Sequence, residues 1–421
     1  MITLIEARNY RCLHYVRQPM QAFHVLVGPN ASGKTTFLDV VAFLGDLVSG
    51  GLEKAVRDRS QNFQDLCWGR ESDGFELAIE VLIPDHFRAL LSDQSFDTVR
   101  YEVSLGEEQY SGEYVIRSEK VLLLKAERHT ESPQQVFRFP DLRAAPETIL
   151  SIKGARNAKT VVNKVEGGND NFYSEVYKES GKGWAPAFKL GPRKSALGNL
   201  PEDESKFPVT TWLKRLLTDG VQQFVLNSIV IRKACPPGQT RGFKPDGSNL
   251  PWVIDALRRK SGDSFRRWIE HLRTALPDLE DIDTIEREDD KHRYLVLCYQ
   301  GGLRVPSWMA SDGTLRLLAL TLPAYLPDIS GVYLIEEPEN GIHPRAVETM
   351  FQSLSSVYDA QILMATHSPV IISMAEADTI LCFAKTVEGA ADIVLGGDHP
   401  ALRSWHGETN LGVLFAGGVL G

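Results

Sequence analysis

A glycine-rich loop near the beginning of the chain constrains the fold more than any other feature. Residues 28–35 read GPNASGKT, which fits the pattern G-x-x-x-x-G-K-[ST]. The preceding run AFHVLVG, residues 22–28, is typical of a buried strand, and a helix is predicted from Lys34 to about Leu47, ended by SGG at 49–51. Strand, loop and helix in this order predict a phosphate-binding loop in an α/β protein.

The chemistry expected of this loop follows from its residue types. Glycines let the backbone turn successive N–H groups toward phosphate oxygens, and the start of the helix adds a partial positive charge. We expect Lys34 to bridge the β- and γ-phosphates of a nucleotide and the Thr35 hydroxyl to hold Mg²⁺. The alternative is a glycine turn with a surface lysine.

A second predicted strand ends in two acids. Residues 331–338 read GVYLIEEP, so an apolar run is followed directly by Glu336 and Glu337. In P-loop proteins the first such acid holds the magnesium shell, and the second is placed to polarise an attacking water. Two adjacent acids at the end of a buried strand are costly unless a cation or polar partner receives them. A strand that reaches the surface with two solvated acids is the alternative.

Two further segments complete a characteristic order along the chain. Residues 311–320, SDGTLRLLAL, combine a helix cap with an apolar face, and residues 361–369, QILMATHSP, form a strand that ends near His367. Taken alone, the first is an ordinary capped helix and the second carries a polar residue near the surface. Their position relative to the loop and the acidic strand favours a functional interpretation of both.

These segments together resemble the ATP-binding-cassette (ABC) class of ATPases, in the order Walker A, signature, Walker B with a catalytic Glu, and switch His. The subgroup most similar is the prokaryotic ATPases related to structural-maintenance-of-chromosomes (SMC), RecF and overcoming-lysogenization-defect (OLD) heads. The similarity rests on NYRCL, SDGTLRLLAL, IEEPENGIHPRA and ATHSP, and it covers about residues 1–85 and 290–421. It implies a P-loop NTPase of the α/β class: an ABC-type ATPase head with a β-rich and a helical insertion.

The resemblance implies ATP and Mg²⁺ as cofactors, and it implies the residues that act on them. Glu337 would be the general base, His367 would contact the γ-phosphate, and Glu336 would stand as the metal-shell acid where the family usually has Asp. The implied catalytic residues are Lys34, Glu337 and His367, and the implied metal residues are Thr35, Glu336 and Gln64. The implied nucleotide-binding residues are Asn30, Ala31, Ser32, Gly33, Lys34, Thr35, Thr36, Arg11, Ser311 and Gly313.

Some of these roles have a specific expectation attached. Ser311 and Gly313 would contact the γ-phosphate held by a second protomer, so the resemblance implies a homodimer or higher assembly around ATP. Arg11 would lie near the nucleotide, and His343 would line the dimer interface. Gln64 is the candidate for the magnesium-sensing glutamine, with an ordinary polar loop residue as the alternative.

The chain divides into four predicted parts. Residues 1–95 form the first half of the head, 96–190 a β-rich lobe, 191–289 a helical insertion, and 290–421 the second half of the head. No heptad pattern persists for three repeats, so we expect no coiled-coil arms. Only 54 residues follow His367, which we expect to be too few for a fused nuclease domain of ~100 residues.

The helical part includes TWLKRLLTDGVQQFVL, WVIDALRRK and FRRWIEHLRTAL, and it contains a basic cluster around Trp268. One interpretation is a face that contacts DNA phosphates or a partner. The other, which we favour, is a set of solvated helix faces balanced by Asp255, Asp263 and Glu270. The basic residues are Arg258, Arg259, Lys260, Arg266, Arg267 and Arg273.

Composition narrows the compartment and the partners. The chain has 46 Lys and Arg against 55 Asp and Glu, and the net charge of −9 argues against a polycation that coats nucleic acid, although a local basic face stays open. Five scattered cysteines without a CxxC spacing favour a reducing compartment. We also expect neither a signal peptide nor a membrane span, and therefore a cytoplasmic protein.

The resemblance suggests an ATP-driven sensor or switch that controls a separately encoded nuclease or toxin in bacterial anti-phage defence. The alternative function is a RecF- or SMC-like ATPase that binds DNA in repair or chromosome maintenance. The energising subunit of a transporter is disfavoured, because IEEPENGIHP and the large insertion do not resemble transporter heads. The apolar tail at 411–421, LGVLFAGGVLG, is expected to pack on the head, with partner docking as the alternative.

Overall fold

The computed structural model of the 421-residue chain describes residues 1–108, 112–125, 138–151, 157–177, 186–239 and 242–403. The apolar tail at 411–421 lies outside these described residues. The strands are β1 (Ile2–Tyr10), β2 (Leu13–Pro19), β3 (Phe23–Val27), β4 (Gly74–Leu82), β5 (Phe96–Glu107), β6 (Tyr114–Lys125), β7 (Ala158–Val165), β8 (Asp170–Phe172), β9 (Ala187–Phe188), β10 (Val221–Phe224), β11 (Leu279–Glu286), β12 (Arg293–Tyr299), β13 (Leu303–Pro306), β14 (Val332–Glu336), β15 (Gln361–Ala365), β16 (Ile380–Lys385) and β17 (Ala391–Leu395). The helices are α1 (Lys34–Arg57), α2 (Asp85–Arg88), α3 (Pro208–Arg215), α4 (Ser228–Ile231), α5 (Leu250–Lys260), α6 (Gly262–Ala275), α7 (Asp312–Thr321), α8 (Pro344–Ser355), α9 (Pro369–Met374) and α10 (Pro400–Arg403).

A six-stranded sheet forms the centre of the head, in the order β10-β14-β15-β3-β16-β17. Its first five strands run parallel, and β17 pairs antiparallel with β16. Strands β3, β14 and β15 are nearly continuous apolar runs because both faces of the sheet are covered there. Their carboxyl ends meet at one edge, which places the residues after β3, β14 and β15 side by side.

A second, antiparallel sheet has eight strands in the order β2-β1-β4-β5-β6-β7-β8-β9. The sheet crosses the predicted boundary between residues 95 and 96, because β4 pairs with β5 along nine residue pairs. The predicted β-rich lobe therefore continues the sheet that β1 begins, and the four-part division of the chain stays a prediction. A third sheet, β11-β12-β13, has three antiparallel strands.

Helix α1 lies in the core that the two large sheets share, together with apolar side chains from β1, β4, β14 and β15. A second core covers the opposite face of the parallel sheet with helices α5 to α9. By length and composition alone α1 is apolar enough to cross a membrane, but more than half of its most apolar stretch is buried inside the protein. The burial identifies α1 as a core helix.

The helix α1 is longer than the sequence predicts. Instead of ending at 49–51 it continues to Arg57, with one non-helical residue inside it, Gly51 at φ 81°. Leu52 and Ala55 beyond this break are fully buried. Their burial stabilises the extra turns, so the tertiary contacts override the glycine stop signal.

The segment TWLKRLLTDGVQQFVL is only partly helical. After α3 and a π-helical turn at Leu216–Gly220, residues Val221–Phe224 form the edge strand β10, which pairs in parallel with β14. The backbone segments at Gly220 and Gly331 approach so closely that a Cβ on Gly331 would lie 2.2 Å from the carbonyl oxygen of Gly220. The pairing with β14, a strand distant in sequence, overrides the local helical pattern, so residues 221–224 form a strand where the sequence predicts a helix.

Three of the six residues of the basic cluster, Arg258, Arg259 and Arg266, form ion pairs with described residues. Arg258 pairs with Asp281 and Asp283, and Trp268 is fully buried, where its indole N–H donates to the Thr321 hydroxyl at 2.9 Å. The tryptophan is therefore a core residue and does not present a ring for base stacking.

Candidate nucleotide-binding site

The loop between β3 and α1 depends on glycine at two positions. Gly28 has φ 150°, and a Cβ there would lie 2.2 Å from the carbonyl oxygen of Phe383 on β16. Gly33 has φ 105°, and a Cβ there would lie 2.8 Å from the Cβ of Ala391 on β17. Side chains at either position would push the loop off the sheet, so the glycines fix its curled shape.

A cavity of about 390 Å³ lies over this loop. It brings together eleven of the residues that the sequence predicts for the site, from four separate parts of the chain. Among the predicted site residues, the lining contains Arg11, Asn30, Ala31, Ser32, Gly33, Lys34, Thr35, Thr36, Glu336, Glu337 and His367. Three predicted residues, Gln64, Ser311 and Gly313, do not line it.

Carbonyl groups of the phosphate-binding loop hold the ammonium group of Lys34 in place. Its side chain is almost fully buried, and Nζ donates to the carbonyl oxygens of Gly28 at 2.8 Å and Pro29 at 3.0 Å. Burial lowers the pKa of Lys34 to about 8, against the opposing effect of the Glu337 and Glu336 carboxylates. A phosphate oxygen entering the cavity would compete with the carbonyls for an ammonium that is already in position.

The end of β14 and the start of α1 form a hard-oxygen site. The Thr35 hydroxyl donates to Glu336 Oε2 at 2.5 Å, and Gln223 Nε2 donates to Glu336 Oε1 at 3.4 Å. Hydroxyl, carboxylate and amide oxygens are ligands that suit Mg²⁺. Within the described residues, no group of three or more His, Cys, Asp or Glu side chains could hold a metal ion.

Gln223 is not among the residues predicted from the sequence, where Gln64 is the candidate glutamine. The structure places Gln64 away from the cavity, where its Nε2 donates to Glu107 Oε1 at 2.8 Å. Of the two glutamines, Gln223 is the one that contacts Glu336, and the magnesium-sensing role of Gln64 stays a prediction that its position does not support. The two glutamines in VQQF are the local indication of Gln223. They point to the site only once the segment is known to be a strand beside β14.

Glu337 is exposed at the edge of the cavity and has φ 45°, which is unusual for a residue with a side chain. Its N–H donates to the carbonyl oxygen of Ala365 at 2.8 Å, and its carboxylate accepts a hydrogen bond from the Asn340 amide. The strained backbone turns the carboxylate out of the strand, and such strain is commonly retained where function requires it.

His367 follows β15, and its backbone is held by Glu339, which is not among the predicted site residues. Glu339 Oε1 accepts from the Thr366 hydroxyl at 2.5 Å and from the His367 backbone N–H at 3.1 Å. Burial and the nearby Lys34 cation lower the pKa of His367, whereas Glu337 and Glu339 raise it. The net effect favours the neutral imidazole at pH 7. Glu339 lies in the segment PENGIHP, which directly follows the two acids of β14 and was the indication of it in the sequence.

Arg11 occupies the turn between β1 and β2 with φ 51°. Its guanidinium lies 3.2 Å from a carboxylate oxygen of Asp39 on α1, and its backbone N–H donates to Leu66. Lys385, at the end of β16, also lines the cavity and was not predicted. Both side chains add positive charge near the phosphate-binding loop.

The signature segment packs against the turn that follows β14. The Ser311 hydroxyl caps α7 by accepting from the Thr314 N–H at 3.1 Å, and a Cβ on Gly313 would lie 2.5 Å from the Gly341 carbonyl oxygen. His343 caps α8 in the same region. Because Ser311 and Gly313 lie outside the cavity of their own chain, their predicted phosphate contact requires a second protomer.

Comparison with known proteins identifies the family. Residues 23–373 match the family model described as "AAA domain, putative AbiEii toxin, Type IV TA system". The chain belongs to this family of AAA proteins. Among curated proteins, none matches this sequence.

Two solved structures of SMC heads share the fold of this AAA protein. One is an SMC head bound to the C-terminal winged-helix domain of ScpA, with 14% identity and a TM-score of 0.52 over 93% of this chain and 97% of that one. The other is a Pyrococcus furiosus SMC head domain with an extended coiled coil, bound to the C-terminal domain of ScpA, with 11% identity and a TM-score of 0.50 over 93% and 95%. The predicted SMC-like P-loop fold is thus confirmed.

Proposed function

We propose that this AAA protein binds ATP with Mg²⁺ and hydrolyses its γ-phosphate. The observation that carries the proposal is one cavity in which a P-loop lysine, a metal-shell pair and a strained glutamate converge, namely Lys34, Thr35 with Glu336, and Glu337. Each of these groups has a defined role in phosphoryl transfer.

The roles follow from position and charge. Lys34 and the loop N–H groups neutralise the phosphates, and Mg²⁺ held by Thr35 and Glu336 would withdraw charge from the phosphate oxygens. Glu337 accepts a proton from the attacking water, and the neutral ring of His367 donates a hydrogen bond to the γ-phosphate. Glu339 holds the His367 backbone where this contact can form.

A second copy of the chain completes the site in this proposal. Ser311 and the N-terminus of α7 would approach the γ-phosphate from the partner, since the cavity has no signature residues of its own. ATP therefore joins two heads and hydrolysis releases them, which is the behaviour of a switch.

We further propose that this switch acts in the cytoplasm and controls a separate effector, a nuclease or toxin, in anti-phage defence. The family description, which names a toxin of the AbiEii type, supports this setting. The SMC heads with the same fold were solved with a domain of ScpA, which shows that such a head can hold another protein.

One substitution tests the ATPase proposal directly. Glu337→Gln keeps the shape of the side chain but removes the base, so we expect ATP binding to persist, turnover to fall by about 10²-fold or more, and a nucleotide-dependent dimer to accumulate. Phosphate release and light scattering measure the two effects. The control is Glu348→Gln on the exposed face of α8. Hydrolysis at the wild-type rate in Glu337→Gln would exclude Glu337 as the base.

A further inference from the structure

A second cavity lies at the opposite edge of the parallel sheet from the nucleotide site. It has a volume of about 880 Å³ and is bordered by the amino-terminal ends of β10, β14 and β15. None of its lining residues also lines the nucleotide cavity. Its volume falls in the range of small-molecule sites, roughly 300–1,000 Å³.

The walls of this cavity are mainly apolar and aromatic. Phe243 packs edge-on against Phe224, which in turn packs against Tyr333, so this side of the cavity is a rigid aromatic group. The other apolar lining residues include Trp212, Leu216, Val253 and Leu257. Such walls suit a flat apolar body and disfavour a strongly hydrated ligand.

Two polar side chains on neighbouring strands border the cavity, and one of them has a buried oxygen without a hydrogen bond. Gln222 and Tyr333 are directly paired in the parallel ladder of β10 and β14, so their side chains lie on the same face. Gln222 Oε1 is buried without a hydrogen bond, while its Nε2 contacts the Asp219 carbonyl oxygen at 3.5 Å. Tyr333 is only 4% exposed and also lines the cavity.

These two groups define what a ligand must offer. Gln222 Oε1 is buried without a hydrogen bond, so a ligand that donates one to it makes an interaction that the protein alone does not make. The amide oxygen of Gln222 can only accept a hydrogen bond, and therefore the ligand must donate one. Burial raises the pKa of Tyr333 to about 12, so its hydroxyl stays protonated and can donate or accept.

The charges around the cavity favour a cation. Three basic groups also line the cavity. Arg215 is paired with Glu204, and burial lowers the pKa of the Met1 amino group. Lys260 has no ion-pair partner among the described residues and is the basic group that opposes a bound cation. The carboxyl end of α5 also borders the cavity and carries partial negative charge. Three exposed carboxylates without ion pairs to described residues lie on its rim: Asp219, Asp328 and Asp359.

We propose that this cavity binds a small organic cation with a flat apolar body and an N–H donor, and that the bound cation regulates the nucleotide site. The amine donates to Gln222 Oε1, the apolar body packs on the aromatic wall, and the Tyr333 hydroxyl forms a second hydrogen bond.

Strand β10 provides the connection between the two cavities. Gln222 borders one cavity, and the next residue, Gln223, contacts Glu336 in the other. Tyr333 and Glu336 similarly lie three residues apart on β14. A ligand that shifts Gln222 moves a strand of only four residues, so Gln223 and its contact with the metal-shell acid move with it.

Tryptamine is a suitable probe of the binding site, with indole-3-acetate as the anion that carries the same ring. We expect calorimetry on the full chain to show one saturable tryptamine site, with an affinity about tenfold or more above that of indole-3-acetate. Gln222→Met and Tyr333→Phe keep the side-chain volumes and should each weaken tryptamine by about three- to tenfold. The control Tyr177→Phe lies on an exposed residue outside the cavity.

The outcomes separate this site from the ATPase. Lys34→Ala should bind tryptamine as the wild type does, because Lys34 is not part of the second cavity. No saturable binding, equal affinity for the two indoles, or unchanged affinity in both cavity variants would each overturn the site. The regulatory part rests on the proposed ATPase: saturating tryptamine should change the KM or kcat for ATP in the wild type, and the tryptamine concentration that gives half of this change should be about three- to tenfold higher in Gln222→Met. Binding without any such change would overturn regulation and leave the ATPase proposal intact.

Discussion

The electrostatics of Lys34 make nucleotide binding depend on pH in a predictable direction. Its pKa is lowered to about 8 by burial, so the free protein loses this positive charge as the pH rises through about 8. We expect ATP affinity, measured with a fluorescent analogue, to fall by up to about tenfold per pH unit above that point. The control Lys233→Ala, at an exposed lysine outside the cavity, should show the same fall.

The same shift affects stability with the opposite sign. Between the folded pKa of about 8 and the unfolded value of 10.5, the unfolded chain binds more protons at Lys34 than the folded one does. The free energy of unfolding should therefore rise with pH across this window as far as Lys34 contributes. An ATP affinity that stays constant through the same window would contradict the assigned pKa.

Glu339 is predicted to act by positioning His367, since its contacts are with the backbone and with Thr366. Glu339→Gln weakens the hydrogen bonds that hold Thr366 and the His367 backbone, so we expect kcat to fall by about tenfold with KM nearly unchanged. It also removes a charge that raises the pKa of His367. The pH dependence of kcat that arises from His367 should move to lower pH. A loss of stability without this movement would indicate a merely structural role. Glu348→Gln again serves as the control.

At the scale of single elements, β10 has the largest consequence for the site. It brings Gln223 to Glu336, whereas the alternative glutamine, Gln64, bonds to Glu107 elsewhere. We expect Gln223→Ala to raise the Mg²⁺ concentration needed for half-maximal ATPase activity by about three- to tenfold. Gln64→Ala is the matched control and should leave it unchanged. The reverse result would restore the assignment made from sequence.

The contrast between these two glutamines shows what the sequence can reveal. Lys34, Thr35 and the acids at 336 and 337 were predictable because each motif is continuous and its chemistry depends on local spacing. The contact of Gln223 with Glu336 was not, because it arises from the pairing of β10 with β14, which are more than a hundred residues apart. Helix α1 shows the same limit, since buried contacts beyond Gly51 extend it past a local stop signal.

At the scale of the whole molecule, the two large sheets are tied together beside the phosphate-binding loop. Residues 138–151 bridge them, because Arg143 donates to Asp392 on β17 at 2.9 Å and the Ile149 N–H donates to Glu76 on β4 at 2.8 Å. Strand β17 also supports the loop, since Ala391 lies against Gly33. The antiparallel sheet is therefore part of the support of the nucleotide site, which the predicted division into head and insertion does not convey.

The arrangement of the signature outside its own cavity leads to a prediction about the assembly. If each ATP lies between the P-loop of one protomer and Ser311 of the other, then Lys34→Ala and Ser311→Arg should each be inactive alone. Their equimolar mixture should regain about a quarter of the wild-type ATPase rate, because about half of the random dimers are mixed and each contains one intact site. Thermal melting of Ser311→Arg checks that loss of the α7 cap has not unfolded it. Activity of Ser311→Arg alone, without any gain on mixing, would show that one chain hydrolyses ATP by itself.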